Sequence, residues 1–221
     1  MRGYNDRAAC GEEFVRDAHG YGNPGETVMI KILLGGVVGG LVIFLWGFVA
    51  HMLLPLGEMG LRTISNEDDL NAAIKKDVRE PGLYFVPGRD MNKSPSQEEM
   101  QIHMEKISKG PYGFMVIYPN GRDPSLGKRL PIELGTNVVC ALLAAILVTQ
   151  LRSGFIGRVA CVTLVGILAS IMTLVPYWNW YGFPTDFTLA QIVHHTVGWF
   201  LAGLVLALIV RPAAPKATPS P

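Results

Sequence analysis

Four apolar stretches, each about as long as a bilayer is thick, constrain this chain more than any other feature. A helix crossing the hydrocarbon core needs roughly 20 apolar residues, because the core is about 30 Å thick and each residue adds about 1.5 Å. The stretches run from Ile32 to Leu56, Leu134 to Leu151, Val159 to Trp178 and Phe187 to Val210. In lipid every backbone N–H and C=O must be satisfied within the segment, so these are helices rather than strands. The charges follow the same division. Only 17% of the 221 residues are Asp, Glu, Lys or Arg. They gather in the first thirty positions and between Glu58 and Glu133. The expected fold is an all-α transmembrane bundle of four helices (29–57, 132–151, 157–178 and 187–210). A small α+β extramembrane insertion, 58–131, separates the first two.

The cations order the helix ends. Lys31 precedes the first span, Arg152 and Arg158 bracket the turn between the second and third, and Arg211 follows the fourth. An up-down bundle brings all four to one surface, which the positive-inside rule assigns to the cytoplasm. The opposite surface carries Glu58, Glu133 and Asp186, with an aromatic belt of Tyr177, Trp178, Trp180, Tyr181 and Phe183. Arg62, Lys128 and Arg129 oppose this layout but are outweighed by the agreement of the four inner ends. The expected placement is the cytoplasmic (inner) membrane, multi-pass, with both termini inside and the insertion outside.

The first apolar run is too long for a secretory signal and lacks a small-x-small cleavage site, so it is expected to be an uncleaved anchor. Residues 1–28 are polar and glycine-rich and read as a disordered cytoplasmic tail. Met29-Ile30-Lys31 looks like a natural start, which would make the residues before it an over-extended start. Residues 211–221, rich in Pro and Ala, read as a second loose tail. The formal net charge of +1 leaves no basic footprint for nucleic acid. The lipid bilayer is the expected partner, with a second membrane protein or another copy of the chain left open. Of three cysteines, Cys10 falls in the tail and Cys140 and Cys161 in apolar runs, which suggests neither a disulfide framework nor a zinc site.

Small residues let membrane helices approach closely. Gly35, Gly36, Gly39 and Gly40 form two overlapping GxxxG pairs, and Gly36, Gly40 and Gly47 fall near one face. Gly198 and Ala202 repeat the pattern in the fourth span. Packing inside the bundle is the simpler use of these seams than an oligomer interface.

In the insertion, Asn66 can cap a helix with Glu67, Asp68 and Asp69 in its first turn and Leu70, Ile74 and Val78 on its apolar face. Leu83 to Val86 reads as a strand. Ser96 can cap a second helix, whose apolar face is Met100, Met104 and Ile107, with His103 beside it. Phe114 to Tyr118 reads as a second strand. Pairing of the two strands across the second helix would make them parallel, with a right-handed crossover. Two short strands form a weak sheet alone, so support from the bundle, a second copy or a partner is expected.

Intramembrane ionisable groups carry the functional signal. His51 lies about 7 Å inside the outer end of its span, and His194 and His195 about 10–12 Å below the same surface. His51 shares a face with Gly40 and Gly47, and His195 with Gln191 and Gly198, so both are expected to point into the bundle. Three uses stand side by side. The plainest is hydrogen bonding between helices. The second is axial ligation of haem b by His51 and His195, or a transition metal with Glu58 or Asp186 nearby. The third is a proton-linked or pH-sensing site. No resident cofactor is expected on the first or third use. Ser65, Ser153 and Ser170 lack the setting of a hydrolase nucleophile. The aromatic run Tyr177 to Phe183 is explained more simply as an interfacial anchor than as a lipid or quinone pocket.

Three segments carry a resemblance: Pro176 to Pro184 (PYWNWYGFP), His51 to Gly57 (HMLLPLG) and Pro81 to Gly88 (PGLYFVPG). With these, the chain after Met29 resembles a group of bacterial four-helix inner-membrane proteins with no known activity. The resemblance implies a bacterial inner-membrane location and nothing about chemistry. The function expected from the residues is that of a non-enzymatic accessory, scaffold or sensing protein whose external domain contacts a partner. A haem- or metal-bearing redox protein is the alternative. A small proton-linked transporter is third, because no inverted repeat or broken helix pair is present.

Overall fold

The structure is a computed structural model that describes residues 24–90 and 92–210. Its elements in chain order are α1 (Pro24–Phe48), α2 (Glu67–Asp77), β1 (Gly82–Val86), α3 (Gln97–Lys109), β2 (Gly113–Ile117), α4 (Arg129–Thr149), α5 (Phe155–Tyr181) and α6 (Thr185–Ile209). Four segments are long and apolar enough to cross a membrane: Gly25–Leu53, Arg129–Thr149, Phe155–Tyr181 and Thr185–Ile209. Cys10 and the tails, apart from 24–28, lie outside the described residues. Positions 24–28, expected in the disordered tail, belong instead to the first turns of α1, where Glu26 suits the positive end of the helix.

The two GxxxG pairs of α1 serve two neighbours. A Cβ on Gly36 would strike Leu142, and one on Gly40 would stand 2.5 Å from the Cα of Val138, so this ridge faces α4. A Cβ on Gly35 would meet Val210 at 2.8 Å, so that position faces α6, and one on Gly39 would lie 3.3 Å from Ala141 of α4 and 3.5 Å from Leu206 of α6, between the two neighbours. Successive residues are about 100° apart around a helix, which turns Gly35 and Gly36 to different sides. Gly47, expected on the packed face, has open space around it, which corrects that expectation. Gly198 of α6 takes the ring of Trp46, and Gly166 of α5 takes Trp199 of α6. The long helices thus lie in the spatial order α4, α1, α6, α5, with little direct contact between α4 and α5.

All four helices contribute where α4 hands over to α5. Ala144, Ala145 and Val148 of α4, Val162 of α5, and Leu206 with Val210 at the end of α6 form the buried cluster, and Ile32 of α1 packs on it. Arg158, expected as a surface cation, is only 7% exposed. Its Nη1 donates to the carbonyl of Val210 at 2.8 Å. The guanidinium therefore satisfies a carbonyl at the C-terminal end of α6, where the helix dipole favours a positive charge.

In the insertion both expected caps form. The Asn66 side chain accepts from the Asp69 amide, and Ser96 and Glu99 close a reciprocal capping box. Leu70, Ile74 and Val78 are half-buried as expected. On α3 the inward positions are Met100, His103 and Ile107, and Met104 is 56% exposed. Met104 and His103 thus exchange the places assigned to them, because spacings of three and four from Met100 to Ile107 pass through 103. The sheet is antiparallel, with Val86 opposite Gly113 and Gly82 opposite Ile117, which corrects the parallel expectation. The reason lies in the connection. The connection through α3 ends in a short link that starts β2 at Gly113, beside the end of β1 at Val86.

The glycine contacts yield a paired expectation. Gly40→Ala pushes its methyl into the backbone of Val138, which no rotamer change relieves, and costs about 1–3 kcal/mol as overpacking. Gly47→Ala meets nothing and shifts stability by no more than about 1 kcal/mol. Thermal unfolding of the two variants in one detergent checks this; equal losses would refute the assignment of the packed ridge.

Candidate functional site

The far end of α1 is irregular. The α-helix stops at Phe48, and Val49–Leu53 form a π-turn followed by a 3-10 turn at Pro55–Gly57. Single π-turns in helices widen the ladder by one residue and recur at functional sites. Here the turn carries His51. Pro55 lacks an N–H and bars the helix from continuing, which suits the change of geometry. Gly57 then folds back beneath the imidazole: a Cβ there would lie 2.5 Å from His51 Nδ1 and 3.1 Å from its Cα.

His51 meets His194 of α6. The ring centroids are 5.0 Å apart in an edge-to-face arrangement. On its other side His194 stacks on Trp46, centroids 6.2 Å apart, and the Trp46 indole N–H donates to the His194 carbonyl at 2.8 Å. His195 follows with its centroid 5.1 Å from His194. His194 is half-buried, and its Nδ1 is buried with no hydrogen-bond partner among the described residues. His51 and His195 are exposed in the protein. The expected pair was His51 with His195, both pointing inward. The chain brings together His51 and His194, with His195 one position around the helix.

That arrangement limits what the histidines can hold. An axial haem pair needs the macrocycle between the two imidazoles. The rings of His51 and His194 meet edge to face, so this pair leaves no such gap; the expected pair was His51 with His195. Among the described residues no group of three or more His, Cys, Asp or Glu converges in a way that could hold a metal ion. Cys140 and Cys161 are both free thiols. The cluster is three neighbouring imidazoles, one with a buried Nδ1 that has no hydrogen-bond partner among the described residues. The catalytic serines considered from sequence gain no partner. Ser170 donates to the Gly166 carbonyl four residues back in its own helix at 2.7 Å.

Above the histidines lies a contact that sequence reasoning missed. The aromatic run at the end of α5 is a platform for the sheet. Phe114 of β2 packs on Tyr181 with centroids 4.4 Å apart, and Phe85 of β1 lies 5.1 Å from Phe114 and 6.5 Å from Tyr181. Tyr112 packs on Phe85 at 5.2 Å and its hydroxyl donates to the Trp180 carbonyl at 2.9 Å. The cluster continues through Tyr177 and Phe183 to Phe187 of α6. Gly60, at φ +81°, lets the chain leaving α1 pass against the backbone of Phe187. Arg62, one of the cations that opposed the expected layout, pairs with Asp186 at 3.1 Å. The signal available in the sequence was the density of aromatic residues on both sides, at 84–85 and 112–118 as well as 177–183.

Comparison with protein-family models, curated proteins and solved structures finds no match. The site has a direct test in Gly57→Ala, whose methyl displaces the His51 ring from His194. The imidazole NMR signals of both residues should then move while that of His103, on α3, stays in place. Unchanged His51 and His194 signals would show that Gly57 does not seat the pair.

Proposed function

We propose that this chain is a non-enzymatic accessory or sensing protein of the cytoplasmic membrane, with both termini inside and an external domain that engages a partner. The observation that carries the proposal is the aromatic dock. Phe85, Tyr112 and Phe114 hold the sheet against Tyr181 and Trp180, so the insertion has a fixed place on the end of α5. A domain held this way presents its remaining surface in a constant orientation. That surface is poorly closed: neither α2 nor α3 has a fully buried residue, and Ile102, Met104, Leu83 and Val116 are exposed. Apolar side chains left outside a rigidly mounted domain suit association better than catalysis.

The membrane placement is supported by the four apolar helices and by Lys31, Arg152 and Arg158 at the end away from the dock. Arg62 weighs less against it, because Asp186 neutralises its charge. Sensing is supported by the histidines. His51 occupies the last turns before the chain enters the insertion, and it contacts His194. Protonating both rings would set two positive charges against each other, with the His195 ring beside them. Their separation would be felt at the base of the insertion.

Crosslinking in intact membranes with an amine-reactive reagent, followed by mass spectrometry, tests the proposal. Crosslinks from Lys93, Lys106 or Lys109 of the insertion to one recurrent partner protein are expected. Recovery of the chain only as an uncrosslinked monomer, at native expression, would contradict it.

A further inference from the structure

The insertion contains one large groove, about 1020 Å³, bounded on one side by α2 and on the other by β2 and the turn after it. Its walls include Val116, Ile117 and Tyr118 but no residue of β1. The sheet has two strands only, so the groove opens on the unpaired edge of β2. Among the described residues no backbone hydrogen bond reaches β2 from anywhere but β1. An open edge presents a row of unused N–H and C=O groups, the template on which a further strand pairs.

The opposite wall has a chemical pattern of its own. Ile74 and Lys75 line it from the last turn of α2, and Val78 and Arg79 from the extended backbone just past the helix end. Neither cation has an ion-pair partner among the described residues, and no carboxylate lines the groove. At its end Arg122 lies over the Tyr118 ring, 5.3 Å from the centroid, adding a third positive charge. A strand in this cleft alternates its side chains between two sides. Apolar residues of such a strand would pack on Ile74, Val78 and Ile117, and acidic residues would pair with Lys75 and Arg79.

We infer that the groove takes an extended, acidic segment of a partner protein, which adds as a third strand to the free edge of β2. The inference rests on the proposal that the insertion is a partner-binding domain and names the chemistry of that partner. Charge complementarity and the open edge select this occupant. The groove lies toward the end of the sheet away from Phe114, so the dock and the added strand do not compete.

The test uses the full chain in zwitterionic detergent micelles and fluorescence anisotropy of labelled peptides. The probes are a peptide of alternating Val and Glu, its Val-Lys counterpart, and a Val-Glu copy N-methylated at every second residue. Binding of the first alone is expected, weakened by salt, with about a tenfold or larger loss in Lys75→Glu/Arg79→Glu, since each 1.4 kcal/mol of lost interaction is tenfold. Equal binding of the N-methylated peptide to the unaltered protein would overturn strand addition, whatever the double variant does. So would equal competition by phosphatidylglycerol vesicles, which offer charge without an edge, and so would full affinity in a double variant that melts like the parent. If crosslinking finds a partner while these peptides fail, the accessory proposal stands and the groove is not its site.

Discussion

The structure of the insertion depends on one contact, the packing of Phe114 and Phe85 on Tyr181. A two-stranded sheet is marginal alone in water, and here its only fully buried apolar residue is Ile117. Each aromatic pair contributes about 0.5–1.5 kcal/mol beyond its buried area. Phe114 with Tyr181, Phe85 with Phe114 and Phe85 with Tyr112 together supply what the small core lacks. Helix α5 makes this possible by its length. Its 27 residues span about 40 Å, against about 30 Å of hydrocarbon. The last turns, from Tyr177 to Tyr181, are free to serve as a platform before Gly182, at φ +71°, ends the helix.

The platform is only as firm as the helices beneath it. They are held by close backbone approach rather than by large side chains. Gly35 admits α6, Gly36 and Gly40 admit α4, and Gly39 lies against both, so α1 is clamped from two sides. Ala141, Ala145, Ala202 and Ala207 continue the same small-residue packing, as expected where lipid provides no hydrophobic drive between helices. At the end away from the dock, Arg158 ties α5 to the last carbonyl of α6. At the dock end, the π-turn of α1 sets His51 on His194 just below the insertion. The histidines therefore lie where the row of helices is joined to the insertion.

Much of this was legible from residue types and spacing. The four long helices appear where about 20 apolar residues recur, and both helices of the insertion begin at their expected caps, Asn66 and Ser96. What escaped depends on distance and geometry that periodicity does not carry. The sheet runs antiparallel because the connection through α3 starts β2 beside the end of β1, and the path of a connection leaves no pattern in the residues. Gly47 looked equivalent to Gly40, but no neighbour reaches it, whereas Gly40 lies against Val138. His195 read as the inward partner of His51, but the ring that meets His51 belongs to His194, a difference of one residue around the helix that spacing alone does not decide. Tyr181 read as an interfacial anchor because the partner ring, Phe114, is remote in sequence.

Limited proteolysis of the full-length Tyr181→Ala variant tests the dock most directly. Removing this ring should open the segment between Arg62 and Arg122 to trypsin many times faster than in the parent, with the helical far-ultraviolet signal of the four long helices retained. An insertion as resistant in the variant as in the parent would show that the domain stands by itself, and that α5 does not hold it.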